Sequence, residues 1–183
     1  MRHLVLFENF KSIPKSIKDR LEGVIRDFRV RLRGGRDFFN AMDAYIKDPS
    51  NIDIILELVS KHENDLISTS GEFGDILYKL WIENKFKCKG MIVFNGKMQT
   101  NNIGISSYYP NEFDLNNKKF VYIDDSYFSG STVTKVKEFL KKHNSNIKSV
   151  SVIYDGSKEI NDNVNSFIRY YDIKDLPSWN SNT

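Results

Sequence analysis

The sequence predicts an α/β protein: a largely parallel sheet over residues 64–183, preceded by an N-terminal helical cap or hood over residues 1–63, the two forming one compact unit. Three observations predict it. Apolar residues ahead of residue 64 recur at helical spacing. Beyond it, short apolar runs alternate with amphipathic stretches, the rhythm of parallel strands covered by helices on both faces. A chain of 183 residues is about one domain long and buries a core of its own.

The elements follow in order. His3–Phe7 reads as a short strand. Ile17, Leu21, Val24, Ile25, Phe28 and Leu32 fall on one helical stripe, ended by Gly34-Gly35. A second helix carries Phe38, Phe39, Met42, Tyr45 and Ile46 and stops before Pro49. A third carries Ile54, Ile55, Leu58 and Val59. Asp65–Thr69 reads as a strand, and Ser70-Gly71-Glu72 as a turn that starts the helix of Phe73, Ile76, Leu77, Leu80 and Trp81. Gly90–Phe94 is a buried strand, followed by a long polar stretch from Asn95 to Lys118. Phe120–Ile123 is a strand, Val133, Val136, Phe139 and Leu140 mark a helix, and Ile147–Tyr154 and Ser166–Tyr171 complete the sheet. The strands are expected to end together at Thr69, Phe94, Asp124 and Tyr154, facing one crevice, where open α/β sheets bind their ligands.

Composition excludes several functions. With 27 basic and 24 acidic residues, the net charge of +3 is too mild for a dedicated nucleic-acid binder. Arg26, Arg29, Arg31, Arg33 and Arg36 do crowd the end of the first long helix. Helical projection spreads Arg26, Arg29 and Arg33 on one flank and Arg20 and Arg31 on the other, as solvated charge on an amphipathic helix is spread. Nucleic-acid association through them is the lesser reading. The single cysteine, Cys88, allows no disulfide within the chain and no multi-thiolate zinc site, and His3, His62 and His143 are scattered. No apolar run nears the ~18 residues that span a membrane, and the start MRHLVLFENFKSIPK turns polar too early for a signal peptide. A cytoplasmic protein without a membrane partner is expected.

The chemistry concentrates in residues 120–133, FVYIDDSYFSGSTV. Two adjacent carboxylates, Asp124 and Asp125, leave a buried strand where the chain opens to solvent. Four residues on, Ser129-Gly130-Ser131-Thr132 opens a helix. Gly130 allows tight backbone curvature, and the hydroxyls join the free N–H groups of the helix start in a phosphate cradle. Acids beside such a cradle suit a sugar phosphate, accepting hydrogen bonds from a vicinal diol.

This segment resembles the type I phosphoribosyltransferases, whose signature is an apolar strand, two acids, three variable residues and a Ser/Thr-Gly-x-Thr loop. The resemblance covers roughly residues 64–156 and implies an α/β sheet of that family's type. It implies that Asp124 and Asp125 serve catalysis at the ribose hydroxyls and hold Mg²⁺, directly or through water. It implies that Phe128, Ser129, Gly130, Ser131 and Thr132 contact the 5′-phosphate side of phosphoribosyl pyrophosphate or of a nucleoside monophosphate. Ser70, Gly71 and Glu72 match the short loop that binds pyrophosphate, although the same residues read equally as a plain helix start with Ser70 as its cap. Residues 95–118 fall where the family keeps a mobile loop, from which Lys97 would reach the pyrophosphate; a solvated lysine is the plainer reading. A nitrogenous base would be met by Asp155-Gly156-Ser157 and Pro177-Ser178-Trp179, and a homodimer is implied; Trp179 reads more simply as an edge-packed side chain.

Three departures from the pattern divide the functional reading. Phe128 stands where the family has a small or hydroxyl residue, Glu72 opposes a polyanion unless it points away or helps hold Mg²⁺, and no adjacent Arg-Lys pair begins the mobile loop. One reading is a transferase that moves a phosphoribosyl group to a nitrogenous base. The other is a non-catalytic or regulatory protein that binds a nucleotide or ribose phosphate on the same fold.

Overall fold

The computed structural model describes residues 36–96, 103–109, 114–157 and 163–169. In chain order they form α1 (Arg36–Lys47), a 3₁₀ turn (Pro49–Asn51), α2 (Ile52–Ser60), β1 (Leu66–Ser70), α3 (Gly71–Ile82), β2 (Gly90–Gly96), β3 (Ile103–Tyr109), β4 (Lys119–Tyr127), α4 (Ser131–Lys141), β5 (Asn146–Asp155) and β6 (Val164–Arg169). The break between α1 and α2 is local chemistry. Asp48 stands in extended backbone, its carboxylate accepts the Ser50 N–H at 2.9 Å, and Pro49 cannot continue α1. The expected strand at 3–7, the helix over 17–32, the arginine cluster from Arg26 to Arg33, Lys97 and the segment Pro177–Trp179 lie outside the described residues.

The six strands lie in the order β3-β2-β1-β4-β5-β6. Pairings from β2 through β6 are parallel, and β2–β3 is antiparallel. The chain leaves β1 through α3 toward β2 on one side, and leaves β4 through α4 toward β5 on the other. The central pair β1–β4 is therefore the point where the winding reverses, and a crevice opens beyond its carboxyl ends.

The core follows the two-residue period of the strands. Met91, Val93, Val121 and Ile123 face one way and pack with Ile46 of α1, Leu58 of α2 and Leu77 of α3. Ile92, Phe94, Phe120 and Tyr122 face the other way and pack with Val133, Val136 and Leu140 of α4. Both faces of the central strands are buried, so their sequences are continuous apolar runs.

One expectation is corrected. The polar stretch from Asn95 to Lys118 is not a loop throughout: β3 pairs back on β2 from Met91↔Tyr109 to Gly96↔Ile103. Edge pairing is made by backbone groups and does not require an apolar run. The β-branched and aromatic residues Ile103, Ile105, Tyr108 and Tyr109 were the available signal.

A polar staple joins the α2–β1 junction to β5. His62 Nδ1 lies 3.0 Å from Asp65 Oδ2, His62 Nε2 lies 3.0 Å from the buried Ser151 Oγ, and Lys148 Nζ bonds Asp65 Oδ1. Burial makes the Asp65 charge more costly, but Lys148 and His62 outweigh it and hold the carboxyl below its ordinary range. The stability this contributes is present above the unfolded-state value of about 3.9 and is lost as pH falls through the folded value. Asp65→Asn should therefore cost about 1 kcal/mol at pH 7, seen as a melting point lower by about 2–4 °C. The gap to wild type should close in acid, which thermal melts from pH 7 down to about pH 2 would follow.

Candidate active site

The acidic pair belongs to β4 itself. The sequence places the end of this strand at the acids because the apolar residues stop there, yet pairing with β5 continues through Ser126↔Tyr154 and Tyr127↔Asp155. The backbone ladder, not the side chains, keeps the segment extended. Asp124 and Asp125 thus point to opposite faces of one strand: Asp124 to the side of Tyr122, Asp125 to the side of Ile123, where it feels the charge of Asp43 on α1.

At the carboxyl ends of β1 and β4 the two strands are cross-linked by side chains. Tyr122 OH donates to Asp124 Oδ2 at 2.5 Å, and Ser70 Oγ donates to the same oxygen at 3.3 Å while lying 2.7 Å from the phenol. Asp124 Oδ1 accepts the Asp125 N–H at 3.0 Å, and Ser126 Oγ donates to Asp125 Oδ1 at 2.8 Å. Burial drives the Asp124 carboxyl well above the ordinary range, with the Asp125 charge adding to it. Burial likewise raises Asp125 and the Tyr122 phenol. Ser70 stands at the N-terminus of α3 but does not cap it; its hydroxyl is turned to β4. Tyr122 was not singled out from sequence. The signal was available: a tyrosine two residues before an aspartate on one strand shares its face.

Beyond β4 the loop turns at Gly130, whose backbone is left-handed at φ +70°. A Cβ there would also come within 2.5 Å of Tyr127 OH. α4 begins without a side-chain cap, and Thr134 N–H makes the first helical bond, to Gly130 O at 2.8 Å. The N–H groups of Ser131, Thr132 and Val133 are thus left without helical partners. They border a cleft of about 200 Å³ lined by Tyr122 and by the residues from Asp124 to Val133. The structure therefore gathers Asp124, Asp125, Phe128, Ser129, Gly130, Ser131 and Thr132 around one space. A larger cavity of about 280 Å³ lies between α2 and β6, but its Arg169 is already engaged with Asp155 and the Val164 carbonyl.

Ser70, Gly71 and Glu72 do not line that cleft. Ser70 reaches it only through its bond to Asp124, and Gly71 begins α3. Glu72 is drawn off by Lys47 of α1 at 2.5 Å, which lowers its carboxyl below the ordinary range. Phe128 is half-buried, edge-on to Tyr154 at 5.8 Å between ring centres. Its ring covers Gly156, where a Cβ would lie 2.2 Å from Phe128 Cε1. Gly156 N–H in turn bonds Tyr127 O at 2.7 Å, so the loops after β4 and β5 are locked together.

Among the described residues, no group of three or more His, Cys, Asp or Glu is placed to hold a metal ion, and no helix is long and apolar enough to cross a membrane. Asp124 and Asp125 each offer hard carboxylate oxygens of the kind Mg²⁺ takes, one from either face of β4.

A family model described as the phosphoribosyl transferase domain matches residues 84–180, a little over half of the chain. That span includes β4, its acids and the Gly130 loop, and starts after β1 and Ser70. The sequence matches no curated protein. Among solved structures, a phosphoribosyltransferase from Corynebacterium diphtheriae superposes with a TM-score of 0.50 at 14% identity, over 86% of this chain and 98% of that one. A purine phosphoribosyltransferase from Pyrococcus horikoshii gives 0.43 at 21% identity, over 67% and 82%. The orotate phosphoribosyltransferase of Mycobacterium tuberculosis with phosphoribosyl pyrophosphate gives 0.49 at 12%, over 88% and 93%.

Two outcomes follow from this geometry. A carboxyl raised by burial favours the folded state below its unfolded value of about 3.9, and that contribution is lost as pH rises through the folded value. Asp124→Asn should therefore melt a few degrees higher than wild type at pH 7–8, with the gain fading toward pH 4. Gly130→Ala should cost about 1–2 kcal/mol from the left-handed backbone alone, read as a lower melting point without ligand.

Proposed function

Since the chain belongs to the phosphoribosyl transferase domain family, we propose that the cleft at Asp124–Thr132 binds phosphoribosyl pyrophosphate and transfers its phosphoribosyl group to a nitrogenous base. One observation carries this reading. Two carboxylates at the winding reversal and an uncapped helix start behind the left-handed Gly130 border the same cleft. The acids suit the ribose diol, and the N–H groups of α4 suit the 5′-phosphate.

In the transfer, the bond from ribose C1 to pyrophosphate breaks as a base nitrogen bonds C1, through an oxocarbenium-like state. Asp124 and Asp125 hold the sugar by its hydroxyls, and Ser129, Ser131 and Thr132 fix its phosphate, so the reacting carbon is oriented. Their negative charge also favours the positive character that develops on the ring. Mg²⁺, held by these two carboxylates directly or through water, would neutralise the pyrophosphate. Glu72 is paired with Lys47, which offsets the charge it would otherwise set against a pyrophosphate. The proposal carries a cytoplasmic setting and a homodimer as the working unit.

A second reading is binding without turnover, favoured by Phe128. Its ring lines the cleft and covers Gly156, taking space that a small or hydroxyl residue would leave open.

Phosphoribosyl pyrophosphate with Mg²⁺ at about 100 times its dissociation constant should stabilise the protein by about 2.7 kcal/mol, a melting shift of roughly 5–11 °C. Asp125→Asn should erase most of it. No shift with phosphoribosyl pyrophosphate, nucleoside monophosphates or ribose 5-phosphate would overturn the proposal. A shift without pyrophosphate release on any base would leave the second reading.

A further inference from the structure

Tyr122 takes no part in the reaction as proposed, yet its phenol sits within hydrogen-bonding distance of groups from both central strands. It is 1% exposed, in a position on β4 where the neighbours Phe120, Val121 and Ile123 are purely apolar. Residues two apart on a strand share a face at about 6.6 Å. A long, rigid side chain with a polar tip bridges that span, and the Tyr122 hydroxyl meets Asp124 Oδ2 at 2.5 Å. A purely apolar side chain in that position would leave that oxygen with the Ser70 hydroxyl alone.

We propose that Tyr122 is a positioning residue of the ribose-phosphate site, acting through Asp124. The inference rests on the function proposed above and names a residue that sets its geometry. An ionised carboxylate offers about four lone-pair sites. At Asp124, two on Oδ2 are taken by Tyr122 and Ser70, and one on Oδ1 by the Asp125 N–H. Oδ2 is thereby turned inward and Oδ1 is the oxygen left to accept from a ligand hydroxyl. The same bonds tie the end of β1, where Ser70 begins the turn into α3, to the acid on β4. The pyrophosphate side and the ribose side of the cleft are set by one hydrogen-bonded unit, with little reorganisation left for ligand binding.

The role predicts a loss for a ligand that carries the sugar, with phosphate at the start of α4 spared. The phosphate subsite at the start of α4 does not use Asp124, so Tyr122→Phe should weaken phosphoribosyl pyrophosphate with Mg²⁺ by about tenfold and inorganic phosphate by less than twofold. Titration calorimetry on the full chain gives the first constant, and competition gives the second. Ser70→Ala removes a bond to the same oxygen from the rim and should give a smaller loss with the same selectivity. It serves as the test if Tyr122→Phe does not fold. Equal losses for both ligands would reduce Tyr122 to packing and overturn the proposal, as would no loss for either. If wild type binds neither phosphoribosyl pyrophosphate nor phosphate, the function itself is overturned. Wild-type binding with an unselective variant overturns only the role of Tyr122.

Discussion

The parallel pairing of β1 with β4 is the constraint on which the site depends. Their register, Leu66↔Phe120 through Ser68↔Tyr122, brings the end of β1 beside the acids of β4. Because the chain winds away from this pair in opposite directions, no crossover helix covers their carboxyl ends. Ser70, Tyr122 and Asp124 come from segments more than fifty positions apart and meet within hydrogen-bond distance there. A one-residue slip in this register would turn Asp124 to the face of α3 and separate the three groups.

Charge burial has opposite signs in two parts of the same sheet. Asp65, near the amino end of β1, is surrounded by Lys148 and His62 and is stabilised as a carboxylate. Asp124 and Asp125 are adjacent and half-buried, with hydroxyls and backbone groups but no cation among their described partners. The first arrangement holds elements together. The second leaves negative charge that none of its described partners neutralises, a cost in stability. Glu72 shows the complementary adjustment, since Lys47 draws its charge off toward α1.

Aromatic packing sets the outer wall. Phe128 covers Gly156 and meets Tyr154 edge-on, while the Tyr127 carbonyl takes the Gly156 N–H. The loop that follows the acids is therefore anchored on β5 at its first half and free to curve at Gly130 in its second. Phe128, one of the departures from the family pattern, takes part in this anchor.

Much of this was legible in the sequence. Local periodicity identified α1 to α4 and the buried strands, because helices and parallel strands of this kind have their own apolar patterns. That the segment Asp124–Thr132 borders one cleft was legible, since acids, glycine and helix start are consecutive in the chain. What tertiary structure decided lay in pairings between distant residues. The ladder to β5 keeps the acids extended and sends them to opposite faces, although the apolar residues have already ended. The hairpin of β2 and β3 puts a strand within a polar stretch, because edge pairing is made by the backbone. The hydroxyl of Ser70, which the sequence reads equally as a helix cap or as part of a pyrophosphate loop, turns to Tyr122 and Asp124, since only the β1–β4 register brings them within its reach. Local order is written in neighbouring residues; the second hydroxyl on Asp124 Oδ2 comes from a residue fifty-four positions away, which only the fold brings near.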